Sequence, residues 1–126
     1  MKPSLKFSLS FLLFFVLIIV SCGPGGFSAK IDKNTYAPGE TIVVEYTADP
    51  NWDESAWIGI IPSDVMHGKE IENEDYDIDY HHIEKSEKGI MKFIAPDEPG
   101  KYDIRMHDTD DGATGVEISF VTFTVK

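Results

Sequence analysis

Cysteine, basic residues and long apolar segments are all scarce in this chain of 126 residues. Cys22 is the only cysteine, so no disulfide can form within one molecule. Lysine and arginine number 11 against 22 aspartates and glutamates, which gives a formal net charge of −11. This balance disfavours nucleic-acid binding, because contacts with phosphates need clustered cations. Residues 11–20 form the one long apolar run, and it is shorter than the roughly 20 residues that a membrane-spanning helix needs.

The apolar run belongs to an N-terminal segment with the layout of a secretory signal. Two lysines precede it, and a small residue and the single cysteine follow it. The motif Ile19-Val20-Ser21-Cys22 resembles the lipobox of bacterial lipoproteins, in which an aliphatic residue, a free position and a small residue precede the cysteine. The resemblance implies that residues 1–21 are a removable signal peptide and that Cys22 is lipidated. An ordinary secretory signal that carries a chance cysteine is the alternative.

The resemblance to lipoproteins also implies a location. It predicts a protein held at the membrane of a bacterial cell envelope by palmitate-type acyl chains on Cys22. Gly23 follows the cysteine where an acidic residue would favour retention at the inner membrane, so we expect the outer membrane. Residues 22–28 are rich in glycine and are predicted to be a flexible tether. Residues 29–126 have the size of one domain, whose stability must come from packing alone.

Hydrophobicity after the tether follows a period of two, which predicts strands. In residues 101–107, for example, apolar side chains alternate with Asp103, Arg105 and His107. Turn signals separate the runs, and the polar residues 62–77 are the exception, with room for a helical turn. The pattern predicts an all-β fold, an Ig-like antiparallel β-sandwich of about seven strands. These strands are expected near residues 28–33, 41–47, 56–61, 78–83, 89–95, 101–107 and 115–125.

Three motifs resemble known sandwich domains. Residues 36–47 are similar to the first hairpin of bacterial Ig-like domains, and residues 96–105 resemble the corner where a tyrosine leads into the sixth strand. Residues 56–61, Ala-Trp-Ile-Gly-Ile-Ile, resemble a strand of SKICH-type and purple-acid-phosphatase N-terminal sandwiches. The resemblance implies a fold more than a function, because the phosphatase metal ligands lie in a catalytic domain without a counterpart here. It predicts that Tyr102 is buried and that its hydroxyl bonds to backbone upstream.

Two acidic segments are candidate cation sites. Residues 108–112 combine aspartates with a glycine, although their spacing differs from that of an EF-hand. Residues 70–79 are the densest acidic cluster, and alternating carboxylates of an extended segment project to one side. Both segments are expected at one end of the sandwich, where they could converge, and solvated acidic loops are the alternative reading. The candidate ligands of a Ca²⁺ ion, the one cofactor considered, are Asp108, Asp110, Asp111, Glu74, Asp75 and Asp77.

The remaining candidates concern ligand binding, because the sequence offers no support for catalysis. It has neither a Gly-x-Ser-x-Gly motif nor a glycine-rich phosphate loop, so no catalytic residue is predicted. Trp57 is expected in the core and Trp52 in an exposed loop, where it could touch a sugar or a protein or merely cap the sandwich. The candidate binding residues are Trp52, Asp53, Glu54 and His67.

Two functions follow from these features. The first is a lipid-anchored envelope protein that acts as a binding or interaction module for a protein or glycan, including a host macromolecule. The alternative is a structural envelope lipoprotein that binds divalent cations. A small envelope enzyme is less favoured than either. In all three cases the expected partners are the membrane, through the lipid, and a protein or glycan ligand, but no nucleic acid.

Overall fold

The computed structural model describes residues 26–126. The predicted signal peptide, Cys22 and the first residues of the predicted tether lie outside this range. Among residues 26–126, no helix is both long and apolar enough to cross a bilayer. The last two residues of the predicted tether belong to the folded domain, since the first strand begins at Ser28 and the ring of Phe27 packs edge-on against Trp52, with ring centroids 5.0 Å apart.

Within the described range the chain forms eight strands and one short helix. The strands follow the predicted runs closely, because alternating apolar and polar side chains fit a sheet with one buried face. The predicted first strand, residues 28–33, ends at Ile31, and the two-residue strand at Thr35–Tyr36 was not predicted. The elements are β1 (Ser28–Ile31), β2 (Thr35–Tyr36), β3 (Thr41–Thr47), β4 (Trp57–Pro62), α1 (Glu70–Tyr76), β5 (Asp79–His82), β6 (Lys88–Ile94), β7 (Gly100–His107) and β8 (Glu117–Val125).

The strands form two sheets, which confirms the all-β sandwich. One sheet has three strands in the order β1-β3-β6, and the other has five in the order β2-β8-β7-β4-β5. The pairs are antiparallel except one, because Thr35 and Tyr36 of β2 run parallel to Thr124 and Val125 of β8. The central strands of the larger sheet, β7 and β4, are therefore flanked on both sides.

The sandwich core lies between the sheets and is built from the apolar half of each alternating strand. Ile42 and Val44 of β3 face Ile104 and Met106 of β7 across it, and none of the four is exposed. Tyr102 closes one end of this core. Its ring is buried, and its hydroxyl donates a 2.7 Å hydrogen bond to the carbonyl oxygen of Glu98, so the predicted tyrosine corner is confirmed.

The larger sheet is buried on its second face as well, around β7 and β4. The alternation in β7 is typical of a strand with one side in water, yet its polar residues Asp103, Arg105 and His107 are fully buried. Trp57 is buried as predicted, but it lies on this second face and not in the sandwich core. The segment that links β4 to β5, including α1, covers the face, and the candidate site lies along its edge.

Candidate functional site

Arg105 attaches the covering segment to the sheet. Its guanidinium pairs with the carboxylate of Asp103 at 2.8 Å and donates to the side-chain oxygen of Asn73 in α1 at 2.6 Å. A third bond reaches the backbone oxygen of Val65 at 2.9 Å. A buried charge is tolerated only when it is paired and hydrogen-bonded, and Arg105 satisfies that condition with groups from both β7 and the covering segment. The segment is therefore fixed in place at two points by one side chain.

Asn73 connects Arg105 to His107 through hydrogen bonds. Because the Asn73 side-chain oxygen accepts from Arg105, its nitrogen donates, and it lies 2.8 Å from Nε2 of His107. The other imidazole nitrogen, Nδ1, faces the backbone oxygen of Trp57 at 3.3 Å. These partners require a neutral imidazole with its proton on Nδ1. Burial lowers the pKa of His107 to about 4, which agrees with that state.

Glu70 lies next to this network, and only one of its two carboxylate oxygens has a hydrogen-bond partner within residues 26–126. The indole of Trp57, stacked on His107 with ring centroids 3.8 Å apart, donates to Glu70 Oε2 at 3.0 Å. Glu70 is fully buried, and no donor of the described residues reaches its second oxygen, Oε1. An unpaired buried carboxylate oxygen is energetically expensive, so this atom needs a proton or a further ligand.

Two other carboxylates meet Glu70 at this point. Glu74 is four residues further along α1, and side chains at that spacing share one face of a helix. Asp110 comes from the loop between β7 and β8. Carboxylate oxygens of Glu70, Glu74 and Asp110 all lie within 4.8 Å of one another. Burial, followed by the approach of Asp110, raises the pKa of Glu70 to about 7, and burial likewise raises that of Glu74.

Direct contacts of α1 and of the β7–β8 loop explain why these carboxylates lie close together. The backbone N–H of Glu70 donates to the oxygen of Gly115 at 3.2 Å, which brings the start of α1 against the β7–β8 loop. A side chain at Gly115 would lie 2.7 Å from Cβ of Glu70, so only glycine permits this approach. On the other side, Ser55 Oγ accepts a 3.0 Å bond from the backbone N–H of Asp110. The β7–β8 loop is thus held by hydrogen bonds to Glu70 on one side and to Ser55 on the other.

Glu74 and Asp110 line a surface that we call the acidic depression, and Glu70 is buried behind them. The acidic depression consists of two pockets sharing His82. The first pocket has a volume of about 240 Å³, and the second, shallower one has about 600 Å³. The first is lined by Trp57, Glu74, Asp77, Tyr80, His82 and Asp110. The second is lined by Asp53, Glu54, Ser55, His82, Glu84 and Lys85.

The structure brings together some of the predicted metal-binding residues and separates others. Glu74 and Asp110 meet, and Asp77 lines the same pocket. Asp108 and Asp111 are occupied by their own loop, since they accept bonds from the backbone N–H groups of Val116 and Ala113. Asp75 is exposed on α1 and does not belong to the group of three.

The predicted binding residues are also divided. Asp53 and Glu54 line the second pocket. Trp52 is half-buried and packs on the hydrophobic core, so it caps the sandwich more than it faces solvent. His67 lines neither pocket: its Nδ1 lies 2.7 Å from Glu117 and its Nε2 accepts from Arg105 at 3.2 Å, which makes it part of the network that holds the covering segment.

Sequence reasoning missed the roles of Glu70 and Arg105. The cation-site prediction assumes an extended segment over residues 70–79, whereas residues 70–76 form α1, inside the stretch where the sequence leaves room for a helical turn. The helical spacing is what places Glu70 beside Glu74. The polar residues of β7 carried a signal: a central strand with a charged face needs a cover, and the long segment after β4 is the obvious one. Comparison of the chain with protein-family models and with curated proteins gave no match.

Proposed function

We propose that this protein is a lipid-anchored domain of a bacterial envelope that binds a basic segment of a partner protein in the acidic depression. The observation that carries the proposal is the charge of the lining. Lys85 is its one lysine or arginine among the described residues, against six carboxylates: Glu74, Asp77, Asp110, Asp53, Glu54 and Glu84.

The charge of the lining selects the ligand class. Anionic ligands such as nucleic acids or acidic lipids would be repelled, whereas lysine and arginine side chains would be attracted. The overall charge of −11 adds long-range steering of a basic partner. Tyr80, with 48% of its surface exposed, offers an aromatic ring beside the carboxylates, and such rings attract guanidinium and ammonium groups.

The location rests on the lipobox-like motif that ends at Cys22. The predicted tether between a lipidated cysteine and the sandwich would let the acidic depression reach partners in the envelope without contact between the acidic domain and the membrane surface. Like-charge repulsion from anionic lipids favours the same arrangement.

The test is binding of an arginine- and lysine-rich peptide to residues 23–126, which contain the whole buried core. Wild-type protein is compared with the triple variant Glu54→Gln, Asp77→Asn and Glu84→Gln. We expect the triple variant to weaken binding at least tenfold, and binding by wild type to fall steeply with added salt. Isothermal titration calorimetry at two salt concentrations measures both effects.

A matched control separates a site from general attraction to an acidic protein. The variant Glu45→Gln, Asp64→Asn and Asp97→Asn removes the same charge from exposed positions outside the depression, and its affinity should stay close to wild type. Equal loss in both triple variants would reject the site. Binding of a neutral oligosaccharide with no salt dependence, in place of the peptide, would replace the basic partner by a glycan.

A further inference from the structure

We propose that Glu70, Glu74 and Asp110 bind a divalent cation of the Ca²⁺ class, and that this cation joins α1 to the β7–β8 loop. The inference goes beyond the proposed partner-binding function and does not depend on it. It concerns the inner wall of the acidic depression, whereas the variants that test partner binding lie elsewhere in the lining.

The first step is the state of Glu70. Its carboxylate is fully buried, and Oε2 is occupied by the indole N–H of Trp57 at 3.0 Å. Oε1 has no hydrogen-bond partner among the described residues, and a carboxylate oxygen of Glu70 lies within 4.8 Å of oxygens of Glu74 and Asp110. A buried oxygen in such surroundings needs a cation or a proton, because ionised carboxylates are acceptors and cannot donate to it.

The second step is geometry. One oxygen from each of three carboxylates lies within 4.8 Å of the others, and two ligands bound to one Ca²⁺ at 2.3–2.6 Å are about that far apart or closer. The three side chains come from two segments that are distant in sequence and are held together by the bond from Glu70 N–H to Gly115. The site is therefore built by the fold and not by a run of acidic residues.

The third step is the choice of ion. The donors are oxygen atoms only, which suits hard cations and disfavours zinc, whose sites use cysteine and histidine. Glu74 and Asp110 are exposed, and the pocket beside them leaves room for water ligands. Ca²⁺ accepts such irregular, partly hydrated coordination more readily than Mg²⁺ does. We expect affinity in the range of extracellular calcium modules, with Kd roughly 10⁻⁴–10⁻³ M.

One other occupant satisfies the same oxygen. A proton shared between Glu70 and Asp110 would remove one charge and complete the bonding of Oε1. With this proton in place, Oε1 would not need a metal ion. A bound cation predicts that calcium raises Tm, whereas a shared proton predicts no rise specific to calcium.

The experiment is thermal melting of residues 23–126 in 10 mM CaCl₂, compared with NaCl of equal ionic strength. An ion that binds only the folded state raises Tm by mass action, and we expect a rise of about 5 °C or more. Glu70→Gln keeps the bond from Trp57 and removes a buried charge, so it should fold at least as well as wild type without calcium and should lose the calcium response. Asp110→Asn should lose the response too.

The matched control is Asp75→Asn, which removes the same charge from the same helix at an exposed position outside the group. It should retain the full shift. Terbium(III) gives a second readout, because the indole of Trp57 lies against Glu70 and should sensitise its emission in wild type and Asp75→Asn but not in Asp110→Asn. Equal shifts in CaCl₂ and NaCl, or an unchanged calcium shift in Glu70→Gln, would overturn the proposal.

Discussion

At the scale of single residues, the buried charged side chains Arg105 of β7 and Glu70 of α1 differ in how well their hydrogen-bonding groups are satisfied. Arg105 is paired with Asp103 and bonded to Asn73 and to backbone, whereas Glu70 keeps one oxygen without a partner. Breaking a buried ion pair usually costs about 3–5 kcal/mol, so Arg105 has the character of a structural anchor. Glu70 instead has a buried oxygen that can accept a further ligand, as expected of a binding residue.

His107 yields a pH prediction at this scale. Burial lowers its pKa to about 4, and the charge of Arg105 adds to this, while Glu117 and Asp110 oppose it. As pH falls from 6.5 to 4, the unfolded chain takes up a proton at this imidazole and the folded chain does not. His107 therefore lowers the free energy of unfolding across that window, by up to about 3 kcal/mol.

The NMR signals of the imidazole ring measure this state directly. We expect His107 to remain neutral at pH 5, with Nδ1 protonated and Nε2 unprotonated. Glu70 and Glu74, whose pKa values are raised, change stability in the opposite direction over part of the window, so the ring is a better observable than the melting curve. A protonated His107 ring at pH 5 in folded protein would contradict the buried arrangement.

At the scale of elements, the position of α1 depends on close contact with the β7–β8 loop. Gly115→Ala would place Cβ 2.7 Å from Cβ of Glu70 and 2.9 Å from the backbone oxygen of Asp111. Neither neighbour is the free end of a side chain, so backbone must shift. We expect the substitution to lower the free energy of unfolding by about 1–3 kcal/mol, as measured by urea denaturation.

Gly112→Ala is the control for this contact. There the added carbon would meet the terminal carbon of Ile71 at 3.0 Å, and that side chain can rotate away. The expected change is within about 0.5 kcal/mol. Similar effects of the two substitutions would mean that α1 does not depend on a close approach at Gly115.

At the scale of the whole molecule, the prediction concerns the anchor. Cys22 is the only cysteine, and acylation needs its thiol, so Cys22→Ser should abolish lipid labelling and release the protein from the detergent phase. Metabolic labelling with a palmitate analogue, followed by detergent phase separation, measures both. A Cys22→Ser protein that still incorporates label would show that the lipobox-like motif does not direct acylation.

The sequence alone determined most of the strands and the sandwich that they form. Side chains of a strand alternate between two faces. Apolar residues at every second position, such as Tyr102, Ile104 and Met106, therefore predict a strand from the local sequence alone. The tyrosine corner could also be predicted from the local sequence, because the Tyr102 hydroxyl bonds to a residue only four positions upstream. Only the tertiary structure decided that Arg105 and His107 are buried and that Glu70 meets Asp110. Those facts depend on which distant segment covers the sheet, and no local period in the sequence records a contact made across the fold.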